Sequence, residues 1–122
     1  MSIRVLVVDD EALIALDVAQ QLADAGYEII GPATTVAGAL ELLKKQGCDA
    51  AVLDARLGDE TSEVIAQELQ VIGKPFVVLS GYSSEHLTST FGNAPLLSKP
   101  PRGKSLLAAL KECLKSSRSM PA

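Results

Sequence analysis

The chain has no tryptophan and only four aromatic residues, Tyr27, Phe76, Tyr82 and Phe91. It has one histidine, His86, and two cysteines, Cys48 and Cys113. Each scarcity excludes something. So few rings, in a chain with 11 basic and 15 acidic residues and a net charge of −4, supply neither the cationic footprint nor the stacking platforms of a nucleic-acid binder. Two cysteines without C-x-x-C spacing and a lone histidine make neither a zinc site nor a disulfide framework. They read as reduced, mostly buried thiols of a cytosolic protein. No apolar stretch reaches the roughly 18 residues that spanning a membrane requires. Met1-Ser2-Ile3-Arg4 leads directly into Val5-Leu6-Val7-Val8 and then Asp9-Asp10, which is too short and too acidic for a signal peptide. The expected location is cytoplasmic, with no membrane contact. A length of 122 residues is one domain's worth, so no separate output domain is expected.

What is present is an ordinary globular composition, 48% hydrophobic and 21% charged, arranged as short apolar runs alternating with helical segments. Ile3 to Val8 is a run fit for a strand buried on both faces. Asp10 is placed to cap a helix over Glu11 to Ala25, and Gly26 to end it. A second strand, Tyr27 to Ile30, is expected to stop at Gly31-Pro32. Thr34 or Thr35 then caps a helix running to about Gln46. Ala50 to Leu53 is a third strand that delivers Asp54, and Leu57-Gly58-Asp59 reads as loop. A helix over Glu63 to Val71 ends at Gly73, and Phe76 to Leu79 is the fourth strand. Ser84 to Thr90 reads as a weak helix, because four of its seven residues are Ser or Thr. Pro95 to Ser98 is a fifth strand, and Arg102 to Lys115 the last helix. The expected domain covers residues 1–116, with 117–122 as a flexible tail. Five strands alternating with five helices predict an α/β fold, a doubly wound parallel sheet of flavodoxin-like order 2-1-3-4-5.

In such a sheet ligands bind outside the C-terminal strand ends. Those ends carry Asp9-Asp10, Asp54, Ser80-Gly81 and Ser98-Lys99-Pro100-Pro101. Singly, each has an ordinary reading: a helix cap, a turn residue, a turn, a solvated charge. Jointly they gather three carboxylates, a hydroxyl and an ammonium. Crowded carboxylates raise one another's pKa values, and a cation relieves that cost. Few hard oxygens without a closed cage favour Mg2+. Lysine and serine suit phosphoryl oxygens, and a carboxylate can itself accept a phosphoryl group.

With these motifs, Val7-Val8-Asp9-Asp10-Glu11, Leu53-Asp54, Leu79-Ser80-Gly81 and Ser98-Lys99-Pro100, the chain resembles the receiver domain of two-component response regulators over about Ile3 to Leu114. The resemblance implies phosphorelay signalling by a switch rather than a turnover enzyme. It implies Asp54 as phosphoacceptor and Asp9, Asp10 and Asp54 as Mg2+ ligands with the backbone carbonyl of Arg56. It implies Ser80 as the switch hydroxyl, Lys99 as phosphoryl partner, and a histidine kinase or histidine phosphotransfer protein as donor. A downstream protein target or a homodimer would read the switch, through Ser80 and the 81–91 segment. The sequence departs from the family pattern in having Leu57-Gly58 where a Met-Pro is usual, and Leu96 where the switch aromatic stands. Tyr82 either takes part of that aromatic's role or is an exposed loop tyrosine. His86 reads as a surface histidine. Gly31-Pro32-Ala33 and Pro75-Phe76, with Ser80-Gly81-Tyr82, look like a variant group of receivers that includes stand-alone and hybrid-kinase ones.

Two further readings stand open. In helix one, Ile14, Val18, Leu22 and Ala25 form the core stripe, and Ala12, Leu16, Ala19 and Ala23 a second one. The second stripe is either extra burial or a docking face for the phosphodonor's helices. The alternative function is a haloacid-dehalogenase-like phosphatase, which also forms an aspartyl phosphate. That enzyme needs an acid/base Asp two residues after the nucleophile, where this chain has Arg56.

Overall fold

The computed structural model describes residues 2–81, 91, 94–99 and 101–119. Its elements are β1 (Arg4–Val8), α1 (Ala12–Asp24), β2 (Glu28–Ala33), α2 (Val36–Lys45), β3 (Ala50–Asp54), β4 (Arg56–Leu57), β5 (Glu60–Thr61), α3 (Glu63–Val71), β6 (Phe76–Ser80), β7 (Leu96–Ser98) and α4 (Gly103–Ser119). Five strands pair in parallel in the order β2-β1-β3-β6-β7. With the small antiparallel β4-β5 hairpin set aside, this is the 2-1-3-4-5 order expected. The expected helix over Ser84 to Thr90 lies outside the described residues, as do Tyr82, His86 and Pro100.

The central strands are apolar throughout because both of their faces are covered. Alternate residues go to opposite sides. Leu6, Val8, Ala51, Leu53 and Val78 meet Ala39 and Leu43 of α2 and Ile65 and Leu69 of α3. Val5, Val7, Val52, Val77 and Leu79 meet Val18 and Leu22 of α1 and Leu106 and Leu110 of α4. Full burial of each valine, leucine or isoleucine among them contributes on the order of 1.5–3 kcal/mol. The two cores hold the sheet rigid from both sides, and its C-terminal edge with it.

Five local expectations are corrected. Asp10 does not cap α1. The N-cap is Glu11, without a side-chain capping bond, because the Asp10 carboxylate instead accepts the Gly58 N–H at 2.9 Å. In α1, Ala15 takes the core position assigned to Ala25, which at the C-cap has already turned outward. Strand β2 continues through Gly31-Pro32 to Ala33. Gly31 sits at φ +97°, and a Cβ there would lie 2.8 Å from the Ala33 nitrogen and 3.1 Å from the Val7 carbonyl. Glycine thus lets the edge strand press against β1, where the register shifts. The segment read as loop around Gly58 is the turn of the β4-β5 hairpin. Finally, α4 runs to Ser119 rather than Lys115. Serine costs a helix only a few tenths of a kcal/mol, and the first breaker is Pro121, which biases the residue before it away from helix.

Candidate functional site

The C-terminal edge of the sheet opens into a cleft of about 490 Å³ lined by Asp10, Glu11, Asp54, Arg56, Ser80 and Lys99, among others. Register explains why they meet. Val8 pairs with Leu53, Asp54 with Leu79, and Ser80 with Ser98. The next residue along β1, the last of β3, the last of β6 and the first past β7 are thereby brought side by side. The Lys99 N–H bonds the Ser80 carbonyl at 2.9 Å, which extends the β6-β7 pairing to the lysine itself.

Lys99 is the hub. Its side chain is 7% exposed, and its ammonium donates to Asp9 Oδ1 at 3.2 Å, Asp54 Oδ2 at 3.1 Å and Glu11 Oε1 at 2.7 Å. An ammonium has three hydrogens, and three carboxylates take them. Burial alone would lower the Lys99 pKa, but the hydrogen bonds to Glu11 and Asp54 and the charges of Asp54 and Asp9 raise it above the ordinary lysine value. Lys99 is therefore charged throughout the physiological range.

Asp9 and Asp54 are both buried, at 1% and 4% exposure. Burial, then the hydrogen bond with Asp9, push the Asp54 carboxyl up to about 7, against the lowering effect of Lys99. Asp9 Oδ1 also accepts the Glu11 N–H at 2.9 Å, while Asp9 Oδ2 is buried with no hydrogen-bond partner. A buried anionic oxygen without a donor is costly. One carboxylate oxygen from each of Asp9, Asp10, Glu11 and Asp54 lies within 4.8 Å of the others. The orphaned Asp9 oxygen and this all-oxygen donor set fit a hard divalent cation. Ser80 is buried and lines the cleft from the end of β6. Arg56 lines it with an exposed side chain.

All the residues singled out in the sequence, Asp9, Asp10, Asp54, Arg56, Ser80 and Lys99, thus come to one cleft or its floor. Leu96, which stands where the family's switch aromatic is usual, is half-buried against the core on the α2-α3 side. Two contributors were not foreseen. Glu11 carries no signal beyond its place in a motif and at the start of a helix, although it directly follows the acidic pair at the strand end. The Gly58 amide steadies Asp10 from the hairpin turn, which no sequence pattern announces.

A model of the response regulator receiver domain matches residues 5–111. The transcriptional regulatory protein PdtaR of Mycobacterium tuberculosis is 30% identical over 127 residues, covering 98% of this chain and 60% of that protein. The chain therefore spans 60% of the length of the curated relatives it matches. Among solved structures, a response regulator receiver protein from Sinorhizobium medicae is 27% identical with a TM-score of 0.87, covering 95% of this chain and 97% of that one. The response regulator PhyR from Brucella abortus is 25% identical with a TM-score of 0.84, over 98% of this chain and 50% of that one. A CheY-like receiver domain protein from Methanospirillum hungatei shares the fold, with a TM-score of 0.85 at 24% identity over 97% of this chain and 98% of that one. These matches lend no support to the phosphatase alternative.

Proposed function

This chain belongs to the response regulator receiver domain family of two-component signalling, and we propose that Asp54 is the residue on which it accepts a phosphoryl group. The observation that carries the proposal is the pairing of two buried opposite charges at the open sheet edge, Asp54 Oδ2 and the Lys99 ammonium, 3.1 Å apart. An Asp54 carboxylate oxygen attacks phosphorus and a new O–P bond forms. The P–N bond of a donor phosphohistidine breaks, and the imidazole nitrogen keeps the electron pair. Lys99 offers its charge to the phosphoryl oxygens. Ser80 offers a hydroxyl from the neighbouring strand end. Asp9, Asp10 and Asp54, with the backbone carbonyl of Arg56, would hold Mg2+. When bound, Mg2+ would offset the crowded carboxylates and the charge on the transferring group.

The donor is a histidine kinase or a histidine phosphotransfer protein. We assign its docking to the outer face of α1, which starts beside the cleft and exposes Leu13 at 83% and Leu16 at 60%. The readout is protein contact, by a downstream target or a second copy of the chain, in the cytoplasm. No described helix is long and apolar enough to cross a membrane.

The test uses acetyl phosphate with Mg2+. Wild type should carry one phosphoryl adduct by intact mass, and Asp54→Asn none. In the same protein, beryllofluoride should move backbone NMR signals most between Ser80 and Phe91. An adduct that survives in Asp54→Asn, or steady phosphate release from unrelated monoesters, would contradict the assignment.

A further inference from the structure

We infer that Glu11 is a latch on Lys99, a yielding partner that competes with the incoming phosphoryl group for the lysine ammonium. The inference rests on Asp54 being the phosphoacceptor. Glu11 occupies the N-cap of α1, where a short polar side chain would ordinarily accept an N–H from the first turn. It makes no such bond. Its carboxylate reaches across the cleft mouth to Lys99 instead, at 2.7 Å, the shortest of the three contacts that saturate the ammonium.

The three partners are not equal. The side chains of Asp9 and Asp54 are 1% and 6% exposed, and water cannot replace the lysine for them. The Glu11 side chain is 60% exposed, so its carboxylate can turn into water at little cost. A phosphoryl oxygen needs a hydrogen from an ammonium that has none uncommitted. The Glu11 hydrogen is the one that can be surrendered. Glu11 would thus keep Lys99 positioned and neutralised before transfer, and slow loading by the cost of letting go.

Two substitutions separate a latch from a mere local charge. Glu11→Gln removes the charge and keeps the length. Glu11→Asp keeps the charge but is one methylene short of Lys99. Phosphorylation rate with acetyl phosphate, and apparent affinity for beryllofluoride with Mg2+ followed by NMR titration, are measured on both, with thermal midpoints to verify folding. A latch predicts that both variants load faster and bind the mimic more tightly than wild type, by about two- to fivefold, the size expected of an ion pair with one exposed partner. If only Glu11→Gln gains, the effect is a general field and the latch is overturned. It is also overturned if neither variant changes, or if both load more slowly. Absence of any adduct on wild type is a separate outcome, which would overturn the assignment of Asp54 and the latch with it.

Discussion

Asp54 is asked to do two things that conflict. As the proposed phosphoacceptor it would have to be ionised to attack, yet burial and then Asp9 push its carboxyl up to about 7. Unfolded, the same group titrates near 3.8. Between these values the folded chain holds a proton that the unfolded chain has released, so this group's contribution to stability falls as pH rises from about 4 to about 7 and is level above. Without divalent cations, Asp54→Asn should therefore be no more stable than wild type near pH 4. It should be more stable at pH 8, by a rise in thermal midpoint of roughly 4 °C or more. A gain of equal size at both pH values would show that ionisation of Asp54 is not its source. The orphaned oxygen of Asp9 adds to the same tension. The chain gives up stability at this edge, and a cation that binds only the folded state would restore it.

At the scale of the element, α1 has two unlike faces. Val18 and Leu22 are fully buried against the sheet, while Leu13 and Leu16 stand in solvent beside the cleft. Leu16→Glu should slow transfer from a phosphohistidine donor protein on the order of tenfold, which is the loss of part of one apolar anchor. It should leave labelling by acetyl phosphate unchanged, and equal loss of both would indicate misfolding instead. The inner face was legible in the sequence from the spacing of Val18 and Leu22. Its partner Ala15 was not, because this helix also carries Ala12, Ala19 and Ala23, and alanine alone does not mark its buried face. The parallel strands were legible because burial on both faces makes them continuous apolar runs, Val5 to Val8 and Phe76 to Leu79. The hairpin was not, since two residues a side, Arg56–Leu57 and Glu60–Thr61, are too few to set up an alternation. Much of the site was legible for a simple reason: Asp9, Asp54 and Ser80 each directly follow an apolar run, and only Ser98 separates Lys99 from the last such run. The Glu11–Lys99 pair joins residues 88 positions apart, and only the assembled sheet brings them together.

At the scale of the molecule, two cores share one sheet. Leu110 is fully buried on the α1-α4 side, and Leu110→Ala should cost about 2–5 kcal/mol, lowering the midpoint by roughly 8–20 °C. The transition should stay single, because the strands belong to both cores. Two separated transitions in calorimetry would mean that the two sides melt as independent units. Leu13→Ala, on the exposed outer face, is the control and should change little. One tie crosses from the hairpin to the loop after the first strand: the Gly58 N–H held by Asp10, from residues 48 positions apart. Gly58 stands at φ +64° at the first central position of a two-residue turn, where a type II′ hairpin takes glycine. The stretch between Asp54 and α3 is thereby measured out like a strut. Its length is therefore held more tightly than its side chains, since one inserted residue would lift the amide away from Asp10.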